Sequence, residues 1–174
     1  PNLQRKGARG RPCSSTPPIA RDFASLHNPR SPPTQPVDPD LNLGPGSAIG
    51  CEFQILDDKV HPDAREGVNG NRTLGSLYDL ITAENLQTEG RAKQFKGIGE
   101  WNQGRIVSDN GRVEHWLNNE KVVEFDRSSQ MFRALVAYSK YKDWDGFCQW
   151  PAGSILLQDH GNEVSYRNIK VREW

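Results

Sequence analysis

One stretch, GRIVSDNGRVEHWLNNEKVVEF at residues 104–125, limits the fold more than any other. Asn110-Gly111 sits between two alternating segments, and Asn-Gly is the strongest short signal for a two-residue hairpin turn, because both positions adopt a positive φ at low cost. The spacing predicts strands over 106–109 and 112–117, and Asn118-Asn119 then turns the chain into a third strand over 121–125. A three-stranded meander of this kind needs an apolar face to pack on. Val113, His115 and Leu117 share one face, and Glu114, Trp116 and Asn118 share the other.

The same period of two appears in CEFQILDD at 51–58, where Phe53 and Ile55 alternate with Glu52 and Gln54. Near the end, 154–158 and 163–171 read as two strands joined by the turn-forming loop Asp159, His160, Gly161 and Asn162. Helical signals are weaker. Residues 76–86 suit a short helix or a lid-like loop, and 128–144 carries apolar residues near helical spacing behind a Ser128/Ser129 cap. Short strands, Gly/Asn turns and five tryptophans, all beyond residue 100, argue for an all-β sandwich or jelly roll.

Residues 1–36 are a different kind of polypeptide. They hold eight of the twelve prolines, six Arg or Lys, the single acid Asp22, and no Trp or Tyr. With so little apolar surface to bury, the segment reads as irregular, and 37–174 as the folded domain. Net charge is zero and the pI about 7.4, which gives nucleic acid no electrostatic foothold. The sequence contains no apolar run long enough to span a membrane and no signal-peptide pattern at the start. Cys13, Cys51 and Cys148 have no metal-site spacing; a Cys51–Cys148 bridge and two buried thiols are both compatible with the sequence.

Several clusters carry chemistry. Glu114 beside Trp116, and Trp101-Asn102 just before a strand, combine an indole with a carboxylate or amide. An indole stacks on the apolar face of a pyranose while the polar groups bind its hydroxyls. A core tryptophan with a rim charge explains Glu114 and Trp116 equally well, and a capping turn explains Trp101. Asp57 and Asp58, followed by His61 and Asp63, have the donors for a divalent cation, or they form a solvated acidic loop. P-loop, GxGxxG, HExxH and GxSxG motifs are absent.

Four blocks together, GCEFQILDD with HPDA, GSLYDLI, GEWNQGRIVSDNGRVEHWLNNEKVVEF and GSILLQDHGNEVSYRNIKVREW, resemble the 3-keto-disaccharide hydrolase family over about residues 37–174. The resemblance implies a concanavalin-like jelly roll, a carbohydrate substrate, and a periplasmic or extracellular setting in bacteria. It implies an elimination: a base removes the proton at C2 of a 3-keto sugar, the enolate expels the oxygen at C1, and water adds back. Under it, Glu52 and His160 are the base or acid, and Arg167 or a cation near Asp57 and Asp58 holds the enolate oxygen. Gln54, Tyr78, Trp101, Asn102, Glu114, Trp116 and Gln158 contact the sugar. Residues 1–36 do not resemble the strands with which the family begins. The expectation is therefore a sandwich incomplete at its N-terminal side, poorly soluble or forming a homo-oligomer across an open edge. Two other readings share the fold: a glycosidase with two carboxylates, and a non-catalytic carbohydrate-binding module.

Overall fold

A computed structural model of the chain describes residues 24–26, 50–151, 153–158 and 162–173. The meander forms as the spacing predicts. β3 (Gly104–Asp109), β4 (Arg112–Leu117) and β5 (Glu120–Asp126) make an antiparallel sheet in that order. Asp109 pairs with Arg112 and Leu117 with Glu120, so both connections are two-residue turns. Their central residues have positive φ: Asn110 46°, Gly111 93°, Asn118 48° and Asn119 68°. A register shift near His115/Trp116 lets Val122 and Val123 both turn into the core, at 0% and 1% exposure.

The second sheet is smaller. β1 (Ala24–Leu26) lies between β2 (Cys51–Phe53) and β6 (Leu156–Leu157), antiparallel to both. Within 1–36 the described part is this strand; the rest of that segment lies outside the described residues. Phe53 on β2 packs its ring 4.9 Å from His115 on β4, and this contact joins the two sheets. His115 is fully buried, and its Nδ1 lies 2.9 Å from the Gly75 carbonyl. Burial pushes its imidazole down to about 4, so it stays neutral and serves the core.

Residues 76–86 are neither helix nor lid. The Gln54 N–H bonds Ser76 O, the Gly75 N–H bonds Gln54 O, and the Tyr78 N–H bonds Glu52 O, so the segment runs beside β2. Further on, the Glu84 and Leu86 N–H groups reach Val122 and Lys121 carbonyls on β5. The segment thus stitches one sheet to the other. A helix is disfavoured there because Ser76 Oγ takes the Ala83 N–H, and Asp79 sits at φ 62°. The 128–144 helix is real but short. α1 (Gln130–Ala137) starts from Ser129, whose Oγ accepts the Phe132 N–H at 3.1 Å, and beyond Tyr138 the chain continues in tight turns.

Cys51 and Cys148 form a disulfide, with Cα atoms 5.2 Å apart and a sequence separation of 97. It ties the turns after α1 to β2. The sequence-based hairpin at the end is only partly formed. The 154–158 strand contracts to β6, and 163–171 joins no ladder among the described residues. Ile169 and Val171 there are exposed; alternation supplies a two-faced segment but not a partner to pair with. No helix among the described residues is long and apolar enough to cross a membrane.

Candidate active site

Alternation on β2 decides where Glu52 goes. Cys51 and Phe53 turn inward, so Glu52 projects from the opposite face. Three segments close over it. A 3₁₀ turn at Pro62–Arg65 brings Asp63, the turns at 70–79 bring Arg72, Tyr78 and Asp79, and the turns after α1 bring Lys140 and Tyr141. Arg72 is the hub. Its Nη1 lies 2.9 Å from Asp63 and its Nε 2.7 Å from Asp79, with Glu66 at 3.2 Å. Gln54, fully buried, donates to Arg72 O at 3.2 Å and faces Asp63.

Glu52 is left without such support. Its Oε1 is shut off from solvent and has no hydrogen-bond partner among the described residues. Burial pushes its carboxyl up to about 8; Lys140 pulls down, Asp63 and Asp79 push up, and Arg72 pulls down again. The Gln54 Oε1 is likewise buried and unbonded among the described residues. A carboxyl that titrates near the working pH, next to unfilled acceptor atoms, is the physical signature of a proton-transfer site. Tyr78 contributes a hydroxyl raised by burial and by its hydrogen bond to Asp63, so it stays protonated.

Several other residues singled out in the sequence are held by contacts of their own. Glu114 and Trp116 lie on the outer face of the meander, across the Phe53–His115 layer from Glu52. There Trp116 Nε1 bonds Glu114 at 2.8 Å, Lys121 reaches Glu114 at 3.0 Å, and Arg105 covers the indole at 4.1 Å. Burial raises the Glu114 carboxyl, but hydrogen bonds from Lys121 and Trp116 outweigh it and hold it below the usual carboxylate range. A two-carboxylate glycosidase needs its pair within roughly 10 Å across one substrate. Glu52 and Glu114 stand on different strands and faces, and Glu114 is not among the charges acting on Glu52.

Trp101 is stacked by Arg167, whose guanidinium lies 3.9 Å from the ring centre. Arg167 is not among the charges acting on Glu52. Asn102 takes hydrogen bonds from Asn118 Nδ2 and the Lys96 N–H, which fixes a loop to the β4–β5 turn instead of presenting an amide. Gln158 is half-buried just after β6, and His160 lies outside the described residues.

Asp57 and Asp58 bond mainly to the chain itself, although Asp57 Oδ2 is buried with no hydrogen-bond partner among the described residues. Asp57 Oδ1 caps the Lys59 N–H at 2.9 Å; Asp58 takes the Leu74 N–H at 2.7 Å and pairs with Lys93 at 2.8 Å. Among the described residues no group of three or more His, Cys, Asp or Glu could hold a metal ion. Sequence reading missed Arg72, Asp79 and Lys140. The signal was present in NRTLGSLYD, where Arg72, Tyr78 and Asp79 are spaced to meet across a turn next to a strand.

Residues 34–172 match the family described as the 3-keto-alpha-glucoside-1,2-lyase-like domain. The chain belongs to that family. A Bacteroides thetaiotaomicron protein named 3-keto-disaccharide hydrolase is 36% identical over 135 residues, covering 70% of this chain and 43% of that protein. A solved glycosyl hydrolase candidate from Parabacteroides distasonis superposes with a TM-score of 0.58 at 25% identity, covering 84% of this chain and 61% of that one. The chain thus spans less than two thirds of either relative. The mostly antiparallel, strand-rich fold of this lyase-like domain is of the jelly-roll type. Its blocks with Glu52, Gln54 and Tyr78 fall inside the matched region, as do Arg72 and Lys140.

Proposed function

We propose that this chain carries the proton-transfer face of an enzyme that cleaves the glycosidic bond of a 3-keto-glycoside. The carbonyl at C3 makes the neighbouring C2 proton acidic. Glu52, in its ionised form, takes that proton, and the electron pair passes through the enolate to expel the oxygen at C1. The carboxyl, now protonated, returns the proton to the departing oxygen, and water adds across the new double bond. Gln54 and Tyr78, on the same side of β2, present an amide and a hydroxyl to the sugar. One observation carries this reading: a buried carboxyl whose Oε1 has no hydrogen bond among the described residues, raised to about 8, in the matched part of a family named for this substrate class.

The substrate is a carbohydrate, and the setting is the periplasm or the outside of a bacterial cell. The Cys51–Cys148 disulfide supports that setting, because such bonds persist in oxidising compartments. The test is incubation with a panel of 3-keto-glucosides and their unoxidised parents, with and without chelator. Release of aglycone from the keto-glycosides alone is the expected result. Cleavage of the unoxidised parents refutes elimination, and saccharide binding with no product at any pH reduces the domain to a binding module.

A further inference from the structure

The charges around Glu52 do not balance evenly. Arg72 is bound by Asp63, Asp79 and Glu66, so its positive charge is committed. Lys140 is not: no carboxylate makes a salt bridge to its ammonium among the described residues. Its Nζ sits 4.1 Å from the centre of the Tyr78 ring and 5.0 Å from that of Tyr141. Its backbone N–H is held by Asp79 at 3.3 Å. The segment that carries it is fastened by Cys148 to Cys51, the residue next to Glu52.

We propose that Lys140 is the positioning residue for Glu52: its ammonium, set against two tyrosine rings, is the counter-charge that allows the buried carboxylate to form. The inference rests on the reading of Glu52 as the proton-transfer group. The groups facing Glu52 are Asp63 from the 3₁₀ turn, Arg72, Tyr78 and Asp79 from the turns at 70–79, and Lys140 and Tyr141 from the segment after α1. Lys140 Nζ lies over the ring of Tyr78, whose backbone N–H bonds the Glu52 carbonyl at 3.1 Å, so the ammonium sits on the Glu52 side of the molecule. Burial lowers the ammonium of Lys140, and the Glu52 and Asp79 carboxylates pull it back up. Each group of the pair therefore makes the other's charge less costly, and a change at one must appear at the other.

The experiment follows the side-chain carboxyl of Glu52 by carbon-13 NMR across pH 5–10 in wild type, Lys140→Met, Lys140→Gln and Lys140→Arg, alongside the pH profile of turnover on a 3-keto-glucoside. Lys140 is exposed along much of its length, so these changes leave the core intact. The Glu52 midpoint is expected to rise by about one pH unit or more in Lys140→Met and Lys140→Gln. Lys140→Arg should restore most of it, and the rising limb of turnover should move in parallel. Asp79→Asn should shift the midpoint downward. An unchanged midpoint in both neutral variants overturns the proposal, whether or not turnover is observed. Full turnover by Glu52→Gln overturns the enzymatic reading instead, and is a separate outcome.

Discussion

Glu52 and Glu114 sit on opposite sides of the same sandwich, each beside an aromatic residue and a lysine, yet they behave oppositely. Glu114 receives hydrogen bonds from Trp116 and Lys121, with Arg112 and Glu124 extending the network, and its carboxyl stays ionised. Glu52 faces a similar set of residue types but has one oxygen buried with no bonded partner among the described residues, and its carboxyl is pushed up to about 8. What separates them is satisfaction, not composition. A carboxylate whose acceptor positions are filled is a structural element; one whose positions are empty and dry is available to a substrate's proton.

The sharpest way to break that contrast is activity. Glu52→Gln should lower turnover of a 3-keto-glucoside by about 1,000-fold, within the range for losing a general acid–base group. Glu114→Gln should leave turnover within about twofold. If the two variants behave alike, the asymmetry has no functional meaning. Turnover of the wild type should also climb about tenfold per pH unit below a midpoint near 8, since about a tenth of Glu52 is ionised at pH 7.

How much of this contrast the sequence disclosed depends on which interactions are local. The meander was legible because Asn110-Gly111 and Asn118-Asn119 fix register within a few residues. The facing of Glu52 and Gln54 was legible from alternation around Phe53. Their environment was not. Arg72 and Asp79 come from turns without periodicity, and Lys140 arrives from beyond a helix, brought in by a bridge 97 residues long. Glu114 beside Trp116 and Trp101 beside Asn102 looked like sugar-contacting pairs because residue type carries no information about occupancy. In the structure Arg105, Arg167 and Asn118 already hold these groups. The 163–171 segment alternates as a strand should, but pairing needs a neighbour that a one-dimensional pattern cannot supply.

Removing the disulfide tests whether the Glu52 side depends on long-range closure while the Glu114 side depends on its hairpins alone. Cys148→Ser should lower unfolding free energy by about 4 kcal/mol for a loop of this length. In denaturant, hydrogen exchange should rise first at 139–149 and at 51–54, with the 104–126 meander protected longest. Uniform loss of protection across both sides would show that the two sheets unfold as one unit and that the contrast is confined to charge.

A smaller effect separates function from stability at Glu52. Its folded carboxyl titrates above the unfolded value of 4.5, so the native state holds more protons between these limits and stability falls as pH rises from about 4.5 to 8. Glu52→Gln removes that ionisation. Above pH 8 the variant should unfold at higher denaturant than wild type, and at pH 4 the difference should shrink toward zero. An inactive variant that is also more stable at alkaline pH is hard to explain as misfolding. A variant less stable at every pH would show that the carboxyl is a structural group after all.

The smallest expected change lies on the opposite face. Glu114→Gln removes a charge held by Lys121 and Trp116 at a site open enough for solvent to screen it, and surface pairs of this kind are worth roughly 0–1 kcal/mol. Its sign is the reverse of that at Glu52. The Glu114 carboxyl is held low, so its contribution is present above the unfolded value and lost as pH falls through the folded one. The variant should match wild type at pH 3 and fall slightly below it at pH 7, with the gap narrowing in high salt. Denaturant titrations of both variants across the same pH series thus give two curves of opposite slope, one from a carboxyl that the fold supports and one from a carboxyl that the fold buries without filling.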